Sequence, residues 1–303
     1  MNHWTEKLYL YTPSELPQRR ILSRTRNHLY LRPHPDLSGC VAHYTVTFPS
    51  LGPHNLIPES RRLTLMPDAS GCFVFDIPGF AGGGLSVHGR FWGATTVTAA
   101  VSGDFDTAPV RFFIEFVPGG AHSLTGIPMR ELTDRCVSVE SATPALFRDI
   151  RDILLSASSP EVLFGRLDTL LLRVLRERKN GCTPFRLPDF SRIAEALSPG
   201  KLALSSGKLA AAIGYSERHL NRLCNSVLGM GIKKYAEVLR INRVLTLVRP
   251  GADLTALAHE AGYYDQSHFN HDFRSICGMN PGEYLSSMSV FYREKYKFQH
   301  IIP

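Results

Sequence analysis

The stretch DLTALAHEAGYYDQSHFNHDFRSICGMNPGEYL, Asp253 to Leu285, reads as two helices joined by a tight turn. Leu254, Leu257, Ala258 and Ala261 recur at three- and four-residue steps and give the first helix one apolar face, with Asp253 at its N-cap. Gly262 ends that helix, because glycine takes the left-handed backbone without penalty. Tyr263 to Asp265 lead into a second helix with Phe269, Phe273 and Ile276 turned inward. Its outer face carries Gln266, Ser267, His268, Asn270, His271 and Arg274, hydrogen-bonding side chains suited to base edges and phosphates. A solvated surface helix would account for one such stretch, but the pattern occurs twice.

Upstream, Gly207 to Val238 reads GKLAAAIGYSERHLNRLCNSVLGMGIKKYAEV, with Leu209-Ala210 on Leu257-Ala258 and Gly214-Tyr215 on Gly262-Tyr263 at an offset of 48. One extra residue in the second turn raises the offset to 49, after which Leu220 falls on Phe269, Arg222 on His271, Cys224 on Phe273, Gly229-Met230 on Gly278-Met279 and Tyr235 on Tyr284. A shared core, turn and closing glycine marks two copies of one helix-turn-helix. Between them, Ile232 to Val248 lacks glycine and proline, has apolar residues at Tyr235, Val238, Leu239, Ile241, Val244, Leu245 and Val248, and is stopped by Pro250-Gly251. A continuous helix of roughly 17 residues spans about 25 Å. That approaches one turn of B-DNA, about 34 Å, so two second helices held at its ends could enter successive major grooves on one face of a duplex.

These linked motifs resemble the AraC/XylS family of transcriptional regulators. The resemblance rests on Leu209-Ala210 with Gly214-Tyr215-Ser216, Arg218-His219-Leu220 with Arg222, and Leu239-Arg240-Ile241. It continues through Ala258, Gly262-Tyr263, Asp265-Gln266-Ser267, Phe269, Phe273-Arg274, Gly278 and Pro281, and covers roughly the last hundred residues. It implies that the second helix of each motif enters the major groove, that the connecting helix fixes their spacing, and that a separate domain senses a small molecule or mediates dimerisation. Three positions depart from the family's pattern. His271 stands where arginine is common, Asn280 where threonine or serine precedes the proline, and Asp272 brings negative charge near the DNA. The second motif is therefore expected to read its half-site less strongly than the first, where Arg218 and Arg222 remain.

At 303 residues the chain is long enough for two cores, and 44% apolar with 20% charged residues is an ordinary globular composition. The net charge of +7 suits a polyanionic partner, and residues 181–303 hold most of it, with 15 Lys and Arg against 10 Asp and Glu. Six widely spaced cysteines, Cys40, Cys72, Cys136, Cys182, Cys224 and Cys277, form no metal-binding spacing and read as reduced structural thiols. Neither a signal peptide nor a run of 18 apolar residues is present, so no membrane segment and a cytoplasmic location are expected.

Residues 1–31 read as a partly ordered arm with a basic cluster at Arg19, Arg20, Arg24 and Arg26. Val41 to Phe48, Arg62 to Met66, Cys72 to Ile77, Thr95 to Val101 and Val110 to Val117 are β-branched and aromatic runs separated by turn residues, as in a small antiparallel barrel or sandwich. Such a unit could enclose a small ligand. The run from Phe116 to Ala121, with Pro128 and Glu131-Leu132, loosely resembles the barrel-like amino-terminal domain of some AraC-type regulators. His43, His54, His88 and His122 lie in this half without the paired spacing of a cupin-type metal site, and read as structural. Pro144 to Leu155 and Pro160 to Arg178 read as helices. The second carries a stripe of Leu163, Leu167, Leu170, Leu171, Val174 and Leu175 that either packs on the sheet or forms a dimer contact.

The expected architecture is α+β with two domains: an antiparallel β-barrel or sandwich with a helical extension, then an all-α double helix-turn-helix domain. The boundaries are 1–140 for the β-rich sensor, 141–180 for the helical segment, 181–188 for a linker, 189–290 for the DNA-binding domain, opened by a short helix at 189–197, and 291–303 for a basic aromatic tail. The expected function is sequence-specific transcription regulation, with activation or repression left open. Candidate DNA contacts are Ser216, Arg218, His219, Asn221 and Arg222 in the first motif. Gln266, Ser267, His268, Asn270, His271 and Arg274 are those of the second. The arginines suit guanine or phosphate, and Asn221, Gln266 and Asn270 suit adenine. Double-stranded DNA is the expected partner, with RNA polymerase, a small-molecule effector and a second copy of the chain as further ones. No cofactor, metal or catalytic residue is expected, since no Walker loop, G-x-S-x-G elbow or H-E-x-x-H is present. The alternative is an amino-terminal enzyme or protein-binding module tethered to a nucleic-acid-binding half.

Overall fold

The computed structural model describes residues 20–24, 28–48, 62–77, 86–102, 110–179, 206–247 and 253–283. The expected linker at 181–188, the helix at 189–197 and the tail at 291–303 lie outside them. In chain order the strands are β1 (Ile21–Arg24), β2 (His28–Leu31), β3 (Val41–Thr47), β4 (Arg62–Leu65), β5 (Cys72–Ile77), β6 (His88–Trp92), β7 (Ala99–Ser102), β8 (Val110–Phe116) and β9 (Cys136–Ser138). The helices that accompany and follow them are α1 (Gly120–Thr125), α2 (Val139–Ala142), α3 (Pro144–Ser156), α4 (Pro160–Lys179), α5 (Ser206–Ala212), α6 (Glu217–Leu228), α7 (Ile232–Leu247), α8 (Leu254–Glu260) and α9 (Gln266–Cys277).

Seven strands pair in the order β1-β2-β3-β8-β5-β6-β9, every described pairing antiparallel, and β4 pairs with β7 in a separate two-stranded sheet. Pairing among the described strands does not close the large sheet on itself. Central β8 shows why the chain is sheet here: Val110, Phe112, Ile114 and Phe116 are buried and alternate with half-exposed Arg111, Phe113 and Glu115. Helices cover the apolar face. Phe164 of α4 stacks on Tyr44 with ring centroids 5.6 Å apart, and Phe147 of α3 lies 6.4 Å from Phe75. Gly89 of β6 makes room for the Phe147 ring, since a Cβ there would sit 2.9 Å from it. The α4 stripe is thereby accounted for. Leu163, Leu167, Leu170, Leu171 and Leu175 are buried in the same core as the sheet, so they pack on their own domain and offer no free face to a second copy.

The expected arm is in part sheet. Residues 21–24 and 28–31 form β1 and β2, with all four residues of β2 buried, so HLYL has no polar alternation to betray it. Arg20, read as solvated, instead reaches Asp168 of α4 at 2.8 Å. That carboxylate is buried and also accepts from Tyr44 Oη at 2.9 Å and His34 N at 3.1 Å, so it binds β3, the segment after β2 and the residue before β1 to one helix. Burial, and then Asp168, push the Tyr44 phenol well above its usual range and keep it a donor. His43 is buried in β3 and hydrogen-bonds Thr45 Oγ1 at 3.1 Å, the structural role expected of it.

The carboxy-terminal helices form a second apolar cluster that includes Leu209, Leu220, Tyr235, Ile241, Phe269 and Phe273. Met66, Ala69 and Ala94, from loops of the sheet domain, belong to it as well. Asp168→Ala should cost about 3–5 kcal/mol, because it strands the Arg20 charge and the buried Tyr44 hydroxyl. Denaturant unfolding of the full chain checks this, with Tyr44→Phe expected to cost about 1 kcal/mol.

Candidate nucleic-acid interface

The two motifs agree in the bonds of their turns and N-caps. Helices α5 and α8 start 48 residues apart and α6 and α9 start 49 apart, as the repeat requires. Each turn places a glycine at positive φ, Gly214 at 77° and Gly262 at 89°, where a side chain would be strained. The next residue then donates back into the preceding helix, Tyr215 N to Ala210 O at 2.8 Å and Tyr263 N to Ala258 O at 2.9 Å. The second helices are capped alike. Ser216 Oγ accepts from His219 N at 3.2 Å, and Asp265 Oδ1 accepts from His268 N at 2.7 Å. The capped histidines pack on the turn tyrosines, with Tyr215–His219 centroids 4.9 Å and Tyr263–His268 centroids 5.2 Å apart.

In the first motif Ser216, Arg218, Asn221 and Arg222 are exposed and His219 is half-buried. Arg222 Nη2 lies 3.1 Å from His219 Nδ1. Arginine only donates, so this contact makes Nδ1 the acceptor and leaves Nε2–H as a donor. Asn221 is already engaged. Its Oδ1 accepts from Ile232 N at 3.2 Å and so satisfies a free amide at the start of α7. In the second motif Ser267, His268, His271 and Arg274 are exposed, whereas Gln266 and Asn270 are half-buried. Gln266 Oε1 accepts from Thr255 Oγ1 at 3.1 Å, and Asn270 Oδ1 is buried without a hydrogen-bond partner among the described residues.

Asp272 does not face outward with its neighbours. Its side chain is 15% exposed and lies 3.5 Å from both Arg240 Nη2 of α7 and His268 Nε2. The charge expected to oppose DNA is therefore turned towards the connecting helix and partly neutralised there. Arg240 also lies over the Tyr263 ring at 5.4 Å, and Arg243 Nε donates to Glu260 O at 2.9 Å. Helix α7, with Tyr235, Val238, Leu239, Ile241, Val244 and Leu245 all buried, is thus fastened to the second motif by two arginines and to the first by Asn221.

Residues 209–287 match the helix-turn-helix domain family. An AraC-like protein of Streptomyces antibioticus is 35% identical over 78 residues, which is 25% of this chain and 26% of that protein. The carboxy-terminal region is an AraC-type helix-turn-helix domain. The chain spans about a quarter of the length of that curated relative. Among solved structures, ToxT from Vibrio cholerae has a TM-score of 0.38 at 13% identity, covering 77% of this chain and 92% of that one. An unsaturated fatty acid bound form of wild-type ToxT has a TM-score of 0.37 at 12% identity, covering 77% and 97%.

One exposed residue beside the second helix of the second motif was not singled out by its place in the sequence. Tyr264 is the extra residue of the second turn, and at 88% exposure it projects beside the N-cap of α9. The change of offset from 48 to 49 was the signal that marked it.

Cys224 and Cys277 are buried on the inner faces of α6 and α9, and burial pushes both thiols up to about 12. Cys40 is buried likewise, at about 12, whereas Cys136 is exposed, its thiol also raised by burial but drawn back by Arg90. Brief alkylation at pH 8 should therefore modify Cys136 and spare Cys40, Cys224 and Cys277 until the chain is denatured, as read by peptide mass mapping.

Proposed function

We propose that this chain is a sequence-specific DNA-binding transcription regulator whose two second helices, α6 and α9, read two half-sites. The observation that carries this reading is the pair of matched motifs with polar, exposed outer residues fastened to one buried helix. Helix α7 has 16 residues, about 24 Å at the α-helical rise. That approaches, without spanning, the roughly 34 Å between adjacent major grooves on one face of a duplex, and the motifs at its two ends add to the separation.

The exposed arginines Arg218, Arg222 and Arg274 are assigned to guanine or phosphate, and Ser216, Ser267, His219, His268 and His271 to backbone or base edges. Gln266 Oε1 already accepts from Thr255, which orients its amide with Nε2 left to donate, and Asn221 Oδ1 serves the start of α7. Asn270 holds a buried unpaired oxygen, which makes it the weaker adenine reader of the second helix. Tyr264, exposed next to the N-cap of α9, joins the set as a phosphate contact. On this reading the amino-terminal half senses a small molecule or joins two copies, and RNA polymerase is the machinery the bound protein influences. Among the described residues no helix is long and apolar enough to cross a membrane.

Bound sites mapped across the genome supply the cognate duplex. At fixed salt, Arg222→Ala and Gln266→Ala should each weaken binding to that duplex about 5- to 150-fold, the range of one lost base contact, with far less effect on random duplex. Tyr264→Ala should weaken both duplexes alike, as a backbone contact does. Asn221→Ala should instead lower the melting temperature. Equal losses on cognate and random DNA for Arg222 and Gln266 would remove the assignment of base reading.

A further inference from the structure

Both readers are held from behind by the sheet domain. Thr133 Oγ1, in the turn after residues 129–131, donates to Gly229 O at 2.6 Å, at the C-cap of α6. Thr98, just before β7, donates through its backbone N to Ile276 O at 3.1 Å and through Oγ1 to Cys277 O at 3.4 Å, at the end of α9. These are carbonyls that a helix end leaves without intrahelical partners. The close of α6 fits its seat tightly. A Cβ on Gly229 would lie 2.5 Å from Thr133 Oγ1 and 3.0 Å from Met129 O, while one on Gly278, the equivalent glycine of α9, would meet nothing within 4 Å.

The two threonines sit on loops stitched to one another. Asp134 accepts from Thr96 N at 2.6 Å and from Thr96 Oγ1 at 2.8 Å, its own N donates to Ala94 O at 2.9 Å, and Gly93 N donates to Arg135 O at 3.0 Å. Asp134 holds a left-handed backbone, φ 56°, which a non-glycine residue adopts only at a cost. A third loop is tied in through Asp68, whose N donates to Thr95 Oγ1 at 2.8 Å and whose O accepts from Thr95 N at 2.7 Å. From these loops Met66, Ala69 and Ala94 enter the core of the helical domain.

We infer that this bracket makes the amino-terminal domain the setter of the spread between the two readers, with Asp134 as a positioning residue that acts on both through Thr98 and Thr133. The bracket grips α6 and α9 by their tails, and Ser216 and Asp265 at their heads stay exposed. The lever is long enough to matter. Each reader has 12 residues, about 18 Å, so a tilt of about 10° at the seat moves its head by about 3 Å, close to the rise of one base pair. A change in the sheet domain that shifts one loop against the other therefore alters which half-site separation the chain accepts. The role in DNA selection rests on the function proposed above, whereas the mechanical coupling does not.

The test uses the full chain with Asp134→Gly, which keeps the left-handed backbone and removes the carboxylate, and Asp134→Asn as the conservative variant. Amide hydrogen exchange without DNA should show faster exchange in Asp134→Gly at the ends of both α6 and α9, residues 225–230 and 274–279, although Asp134 bonds to neither helix. Thr133→Val should speed only the first segment. Asn, still an acceptor, should restore much of the protection. Faster exchange at neither end, or at one alone, overturns the coupling. On cognate duplexes with the half-sites moved by one base pair in either direction, Asp134→Gly should lose about 5- to 10-fold of the native spacing preference while single half-site affinity holds. An unchanged spacing preference overturns the positioning role. A native chain that distinguishes no sequence at all would instead defeat the reading as a regulator, and the exchange result would still decide whether the bracket couples the two helices.

Discussion

The constraint on which the carboxy-terminal half depends is that α7 completes the cores of both helix-turn-helix units. A seven-residue first helix and a twelve-residue second helix each bury one stripe, Leu209 and Leu220 in one copy, Leu257 and Phe269 in the other. The missing wall in each is α7, which buries residues on several sides along its length, from Ile232 and Tyr235 to Val244 and Leu245. Its low amphipathicity follows from that position between two partners. Because one element closes both cores, only small tilts of one motif against the other leave both of them packed. The polar fastenings, Asn221 to Ile232 N and Arg243 to Glu260 O, then fix direction as well as contact.

The parts of the fold that were legible in sequence are those decided within one turn of chain. Glycine at a left-handed position, an aspartate capping a helix start, and a three- or four-residue apolar step are local facts. They placed Gly214, Gly262, Asp253 and the inward Phe269 and Phe273 where the structure has them. What could not be read depended on partners far along the chain. Residues 28–31 look like neither strand nor helix until β3 covers one edge and the α4 carboxylate of Asp168 anchors the approach. HGRFW of β6 hides its strand because Gly89 serves a phenylalanine ring from another element.

The same distinction separates the outer faces of the two readers. Periodicity says which residues lie on the outside of a helix, but not which of them are already bonded. Asp272 is an outward position by count, yet Arg240, 32 residues earlier, draws its carboxylate inward. Asn221 is exposed by count and committed to the next helix. A polar face read from sequence therefore overstates the number of side chains free to meet a ligand, and the tertiary hydrogen bonds do the pruning.

Pruned in this way, the two readers are unequal in a manner that bears on how a split site would be read. The first presents two permanently charged groups, Arg218 and Arg222, both exposed, with Arg222 braced on His219. The second presents Arg274 beside two exposed histidines, and its inward Asp272 offsets part of the local positive charge. Charge supplies affinity that is insensitive to sequence, whereas neutral donors and acceptors discriminate without adding much attraction. On the proposed reading the first motif brings the larger share of charge together with the base contact assigned to Arg222, so binding at a single half-site should be led by the first. The extra tyrosine fits this division. An insertion that leaves an aromatic side chain 88% exposed at the head of the less charged helix offers that helix a further phosphate hold.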